Sequence, residues 1–233
     1  MKHACVIGWP ISHSRSPLIH NYWLKAYQIE GIYDKIPVKP DNLPAFIAAL
    51  EKNRLSGCNV TIPHKEPVFS LVRIADRETQ RLGAVNTIFL DDGQPWGTNT
   101  DGRGFLANIM SHIPDLDLRG NRILLLGAGG SAMSIIATLL TRGVREIVVA
   151  NRTPERSIDL CERFGETIKP ALWDDRHRSL SGCDILINTT PLGMTGQSAL
   201  HINLELLPHD AIVADIVYSP LTTPLLKAAR NLG

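Results

Sequence analysis

Long apolar runs are missing from this 233-residue chain. None approaches the ~18 residues that a membrane-spanning helix needs. The opening stretch, Met1 to Pro10, has too short an apolar core for a secretory leader and reads as a first strand. Cysteine is scarce and scattered: Cys5, Cys58, Cys161 and Cys183 form no C-x-x-C pair. That argues against a disulfide framework or a thiolate metal site and suits reduced core thiols in a cytoplasmic protein. None of the eight histidines stands at helical ligand spacing beside another ligand-type residue, so no metal is expected. Excess charge is missing too. A net charge of +1 does not describe an electrostatic nucleic-acid binder. Internal repeats and low-complexity segments are absent. What remains is an ordinary globular composition, 44% hydrophobic, with length for one large domain or two small ones.

The most informative feature is a glycine-rich loop halfway along. Arg122 to Leu126 reads as a buried parallel strand, Gly127-Ala128-Gly129-Gly130-Ser131-Ala132 follows at once, and a helix-spaced apolar run begins at Met133. Strand, glycine turn and helix are the parts of a Rossmann-type dinucleotide-binding unit, whose helix N-terminus receives the diphosphate. Ala132 replaces the third glycine of the common pattern, a tolerated variant. The next strand, Glu146 to Ala150, ends in Asn151-Arg152-Thr153, with Arg156 one turn on. At that position, roughly 20 residues past the loop, NAD sites carry an acidic residue for the ribose hydroxyl. Guanidinium groups suit a 2′-phosphate instead, so the cofactor reads as NADP. The competing reading is a solvated arginine pair opening a surface helix.

Strand and helix patterns alternate throughout. In the first half, strands are expected over 4–8, 32–38, 57–61, 84–90 and around Trp96. Ser16 is expected to cap a helix running to about Gln28, and Asp41 one that passes through Leu50. Residues 63–82 are expected to be helical in two pieces, and Asp101 to His112 helical. From Asn121 a regular rhythm puts strands near 122–127, 146–150, 184–188 and 211–216, with helices between them. Such alternation implies α/β architecture with parallel sheets. The expected division is a substrate-binding domain over 1–101, a connecting helix and linker over 102–120, and an NADP-binding domain over 121–233.

Four blocks in the first half place small polar residues where strands give way to loops. Ser14 and Ser16 can aim two hydroxyls at one ligand, or serve as a helix cap. Asn59-Val60-Thr61-Ile62-Pro63-His64-Lys65-Glu66 supplies an amide, a hydroxyl and an ammonium; Lys65 is otherwise a solvated charge beside Glu66. Gly83-Ala84-Val85-Asn86-Thr87 and Gly97-Thr98-Asn99-Thr100-Asp101-Gly102 add amides and a carboxylate. Together they suit a small polyhydroxylated acid, with no arginine cluster for phosphate.

In this order these blocks, the glycine loop, Asn151-Arg152-Thr153 and Asp215-x-x-Tyr218-x-Pro220 resemble the shikimate dehydrogenase family from the first strand to the last residue. The resemblance implies an open α/β substrate-binding domain followed by a Rossmann-type domain, and reversible NADPH-dependent reduction of 3-dehydroshikimate to shikimate on the route to chorismate and the aromatic amino acids. Lys65 and Asp101 match the family's catalytic pair. Ser14, Ser16, Thr61, Asn86 and Tyr218 match positions that bind substrate. Gly127, Ala128, Gly129, Gly130, Ser131, Asn151, Arg152, Thr153 and Arg156 match the NADP site, with Ile216 along the nicotinamide. An ordinary lysine titrates at about 10.4, so Lys65 is read as the acid that protonates the ketone oxygen, with Asp101 orienting it and accepting a substrate hydroxyl. The family continues past this point with a Gly-Met-Leu-x-x-Gln-Ala block and helices that return to the first domain. A longer natural protein is therefore expected, as is an uncovered apolar face on the first domain. The partners expected are small molecules only, with the protein a monomer or homodimer. A quinate/shikimate dehydrogenase with relaxed cofactor use and a non-catalytic NADP-binding sensor are the alternatives.

Overall fold

Apolar residues at Cys5 and Ile7 alternate with Val6 along β1 (Lys2–Gly8), so the strand buries both faces at the centre of a sheet. In the computed structural model, which describes residues 1–233, this first sheet belongs to a unit spanning Met1–Thr100. Its other elements are α1 (Ser16–Ala26), β2 (Gly31–Pro37), α2 (Leu43–Ala48), β3 (Gly57–Val60), β4 (Arg73–Ile74), α3 (Arg77–Leu82), β5 (Thr87–Asp91) and β6 (Gln94–Thr98). The strand order is β2-β1-β3-β5-β6-β4. Ile7, Leu43, Ile47, Leu50, Val60 and Ile88 form the main core on one face.

The sheet is mixed, where the alternating pattern predicts a parallel one. β1 runs parallel to β2 and β3, but β5 is antiparallel to both β3 and β6. The reason is local. Asp92 (φ 47°) and Gly93 (φ 71°) occupy the left-handed region and close a tight hairpin, so β5 and β6 need no crossover helix.

Several local expectations are corrected. Ser16 is the first residue of α1 and makes no capping bond; Ser14 Oγ instead accepts the Ser16 amide at 3.3 Å. Asp41 lies inside a 3₁₀ turn, Pro40–Asn42, and α2 starts only at Leu43. Residues 63–82 are not two helices: a 3₁₀ turn (Pro67–Leu71) and β4 precede α3. Ala84 to Asn86 lie before β5, where the chain bends into the strand. No residue of α1 is buried; Leu18, Tyr22 and Trp23 stand exposed on it, as does Tyr27 just past its end.

The second unit spans Asp101–Gly233. It holds α4 (Asp101–His112), β7 (Arg122–Leu126), α5 (Gly130–Leu140), β8 (Glu146–Asn151), α6 (Pro154–Phe164), β9 (Ile168–Leu172), β10 (Ile185–Asn188), β11 (Ile212–Asp215) and α7 (Pro224–Leu232). All five strands are parallel, in the order β11-β10-β7-β8-β9. Ile123 to Leu126 are fully buried, as a central parallel strand covered on both faces requires.

Two features of this unit differ from the pattern-based expectation. β9 is an additional strand, carrying Pro170 on the rim of the sheet. Between β10 and β11 the chain forms turns rather than a helix. The second unit begins at α4, which packs on α5. A Cβ on Gly102 would lie 2.1 Å from Ser134 O, so only glycine lets these helices meet so closely.

Candidate active site

Each sheet has one point where successive connections leave in opposite directions, and in open α/β sheets ligands bind outside the carboxyl ends of the strands there. In the first unit that point lies between β1 and β3, since β2 and β3 flank β1 on opposite sides. The loops leaving β1 and β3 carry the sequence-predicted side chains. Ser14 and Ser16 sit together after β1, both half-buried. Thr61 follows β3, its amide bonded to Ile7 O at 3.0 Å. A Cβ on Gly8 would lie 2.6 Å from the Thr61 methyl, so glycine at the end of β1 is what admits Thr61.

Lys65 stands on the turn that Thr61 begins. His64 N–H donates to Thr61 O at 2.9 Å, and Lys65 O accepts the Val85 amide at 2.8 Å. The lysine backbone is thereby tied to the segment that carries Asn86. His64 itself is fully buried, with Nε2 2.7 Å from Val38 O. That link was not legible in the sequence, where His64 looks like one more loop histidine.

Asn86 is 7% exposed and tightly oriented. Its Oδ1 accepts from Thr87 Oγ1 at 2.8 Å and from the Thr100 amide at 3.0 Å, and its Nδ2 donates to Thr100 Oγ1 at 3.1 Å. Asp76 is a second residue that sequence reasoning missed. Its carboxylate caps α3 at the Thr79 amide (2.8 Å) and accepts from Thr98 Oγ1 at 2.6 Å. Thr79 Oγ1 in turn accepts the Asn99 amide at 2.9 Å. The Asp76-x-x-Thr79 spacing is a capping signal that could have found it. Asp101 follows Thr100 directly and opens α4.

In the second unit the change of direction lies between β7 and β10, and the predicted cofactor residues cluster at the carboxyl ends of the strands around it. Gly127 (φ +102°) turns the chain out of β7; a Cβ there would lie 2.8 Å from Thr189 Oγ1. Gly129 and Gly130, at the start of α5, would meet nothing within 4 Å. Ala128 and Ser131 are half-buried beside them. The helix N-terminus is therefore bare and open to a diphosphate. Asn151 ends β8, and its Nδ2 donates to Thr153 O at 2.9 Å. Arg152 and Arg156 are exposed and make no ion pair. Bare amides beside two available guanidinium groups fit a phosphorylated dinucleotide.

Ile216 follows β11, its amide bonded to Asn188 O at 3.1 Å; Tyr218, two residues on, is 73% exposed. Their loop is organised by Asp215, another role the sequence did not disclose. Its Oδ1 accepts from Asn188 Nδ2 and the Val217 amide, both at 3.0 Å, and its Oδ2 from Thr223 Oγ1 at 2.7 Å.

A mixed α/β sheet unit followed by a parallel dinucleotide-binding unit defines a two-unit nucleotide-dependent dehydrogenase class. Comparison narrows it. Residues 6–88 match the family model described as shikimate dehydrogenase substrate binding domain, and residues 108–195 the model described as shikimate / quinate 5-dehydrogenase. A curated shikimate dehydrogenase (NADP(+)) of Rhodopseudomonas palustris (strain HaA2) is 47% identical over 230 residues, 99% of this chain and 81% of that protein. One of Azorhizobium caulinodans is 44% identical, covering 100% of this chain and 83% of the relative. The crystal structure of shikimate 5-dehydrogenase from Thermus thermophilus in complex with NADP(H) and shikimate superimposes with a TM-score of 0.86 at 33% identity, over 100% of this chain and 85% of that one. The chain belongs to the shikimate dehydrogenase family.

Proposed function

We propose that the chain is an NADP-dependent oxidoreductase that reversibly reduces 3-dehydroshikimate to shikimate, in the supply of chorismate and the aromatic amino acids. The observation that carries this reading is the convergence at the β1/β3 switch point. Two serine hydroxyls, Thr61 and the Lys65 amine lie on the loops that leave β1 and β3, and the oriented Asn86 carboxamide stands immediately before β5, which runs antiparallel to β3 and so begins at the same end of the sheet. That donor set matches a small acid bearing several hydroxyls.

NADPH, when bound, supplies the hydride. The protein's own residues do the rest. Ser14, Ser16 and Thr61 offer hydroxyls to the substrate's carboxylate and ring hydroxyls, and Tyr218, on the loop after β11, offers a further one. Asn86 presents a carboxamide held on both ends. Lys65 donates a proton to the ketone oxygen as negative charge grows there, and stabilises that charge before transfer is complete. In the reverse direction its neutral amine takes the hydroxyl proton. Asp101 would accept a substrate hydroxyl. Gly127 to Ser131 would hold the diphosphate at the α5 N-terminus, Asn151 to Thr153 and Arg156 would hold the adenosine 2′-phosphate, and Ile216 would serve the nicotinamide end. All four cysteines are free thiols, which fits a cytoplasmic setting, and no helix is long and apolar enough to cross a membrane.

The test is direct. Purified chain mixed with shikimate and NADP is followed by NADPH absorbance. Shikimate-dependent formation of NADPH supports the assignment; none at any shikimate concentration, from folded protein, removes it.

A further inference from the structure

The hydrogen bonds that orient Asn86 do not begin beside it. They begin at Tyr33 on β2, two strands away from β3. Tyr33 is 5% exposed, and its hydroxyl donates to Asn59 Oδ1 at 2.6 Å. Tyr33 stands opposite Ala4 of β1, and Asn59 opposite Val6. The ring therefore runs diagonally across β1, and the small Ala4 side chain leaves room for it. The ring is held independently of this reach. Asn21 bonds the Tyr33 backbone twice, Nδ2 to Tyr33 O at 2.7 Å and the Tyr33 amide to Oδ1 at 2.9 Å, and His20 stacks on the ring at 4.1 Å.

From Asn59 the chain of bonds continues in one direction. Asn59 and Thr87 are partners in the antiparallel ladder. Asn59 Nδ2 donates to Thr87 Oγ1 at 3.1 Å and to Asn86 O at 3.4 Å. With its lone pair so used, Thr87 Oγ1 donates its proton to Asn86 Oδ1 at 2.8 Å. A carboxamide has one accepting and one donating end. Asn86 O can only accept and so takes the Asn59 NH₂ group, while the Tyr33 hydroxyl, donating to Asn59 Oδ1, fixes the opposite end of the same carboxamide. Reversed, Asn59 would present its oxygen to the Thr87 hydroxyl and to Asn86 O. It would then compete for the proton that Asn86 receives and set two oxygens against each other. Burial raises the Tyr33 pKa well above the ordinary tyrosine value, so the hydroxyl keeps its proton.

We infer that Tyr33 is a positioning residue for the substrate site, acting through Asn59 and Thr87 to hold the Asn86 carboxamide in the orientation that meets the substrate. The inference rests on the reading of Asn86 as a substrate-binding residue. Nothing in the sequence marks Tyr33, which reads as one more aromatic residue of a strand.

The experiment compares Tyr33→Phe with the parent in the full chain. The expected result is a rise in KM for shikimate of about three- to tenfold, the range that loss of one hydrogen bond gives. The kcat should stay within about twofold and KM for NADP should not move, since a bond felt equally by ground and transition states alters KM alone. A merely structural role would lower thermal stability and leave KM unchanged. Thr87→Val cuts the same relay further along and should give the same split. In an Asn59→Ala background, where the relay is already broken, Tyr33→Phe should add less than about twofold. An unchanged KM in Tyr33→Phe, or its full effect persisting beside Asn59→Ala, overturns the inference. The side-chain amide resonances of Asn86, identified with Asn86→Asp, supply a readout in ligand-free protein. They should shift in both Tyr33→Phe and Thr87→Val, and fixed resonances overturn the relay. If the parent binds no shikimate, the reading of Asn86 fails, and these resonances still judge the relay.

Discussion

Replacing Asp215 by Asn tests how far one carboxylate organises the loop that carries Ile216 and Tyr218. Three donors meet its two oxygens: Asn188 Nδ2, the Val217 amide and Thr223 Oγ1. Asparagine is nearly the same shape but has one oxygen. Its best placement keeps Oδ1 on Asn188 and Val217 and turns the NH₂ toward Thr223. The Thr223 hydroxyl is completely buried and already accepts the Leu226 amide at 3.3 Å as the cap of α7. Its own proton then has no acceptor. A stranded buried donor costs about 1–3 kcal/mol, and the two remaining bonds lose their charge assistance, roughly a further 1 kcal/mol. The expected loss is ~2–4 kcal/mol. For a protein of this size that lowers Tm by about 4–16 °C. Thermal unfolding followed by calorimetry measures it, and Thr223→Ser, which keeps both hydroxyl bonds, serves as the control. The loosened loop should also raise KM for shikimate. A loss under about 0.5 kcal/mol, with the substrate constants unchanged, would show that the loop is held by packing and that counting donors at Asp215 was mistaken.

Three further substitutions probe other parts of the molecule. Lys65→Ala should lower kcat by roughly 10²–10⁴ with a much smaller change in KM, because the loss falls in the transition state; a variant keeping more than about a third of kcat, where chemistry is rate-limiting, ends its assignment as proton donor. Arg152→Asp should cut the NADP-over-NAD ratio of kcat/KM at least tenfold, about 1.4 kcal/mol, by exchanging attraction for repulsion at the 2′-phosphate. An unchanged ratio would make Arg152 a surface charge. Gly102→Ala drives a methyl against Ser134 O and should destabilise the chain by about 1–3 kcal/mol, read by urea unfolding; a neutral effect would show that α4 and α5 separate without cost.

The parts of the fold that were legible in the sequence are those whose constraints are local. The glycine loop is one, because strand, turn and helix start lie within about a dozen consecutive residues. What escaped depends on partners far apart in the chain. Asp215 meets Asn188 across 27 positions, and Tyr33 meets Asn59 across 26, so neither spacing signals a bond. β9 escaped for a different reason. Pro170 interrupts Ile168-Lys169-Pro170-Ala171-Leu172, and a proline argues against a strand unless the strand lies on an edge. Edge position is a property of the finished sheet, which no local window contains. Likewise the serine at 16 looked like a cap because the motif fits, yet the helix had already begun. In the candidate site, Thr61, Lys65 and Asn86 stand in motifs that a sequence displays, whereas the bonds of His64 to Val38, Asp76 to Thr98 and Tyr33 to Asn59 join residues 22–26 positions apart and leave no local signal.

Pro170 also bears on how copies of this protein behave toward one another. β9 pairs with β8 on one side only, so its other backbone edge faces outward. An outward edge is a template on which a stray strand can add, and repeated addition builds fibrils. Proline offers no amide proton and fixes its own backbone angle, so a ladder extended over β9 would be interrupted in the middle of its five residues. The residue that hides the strand from pattern recognition thus also limits the sheet's growth at that rim, and it does so without calling on any other part of the chain.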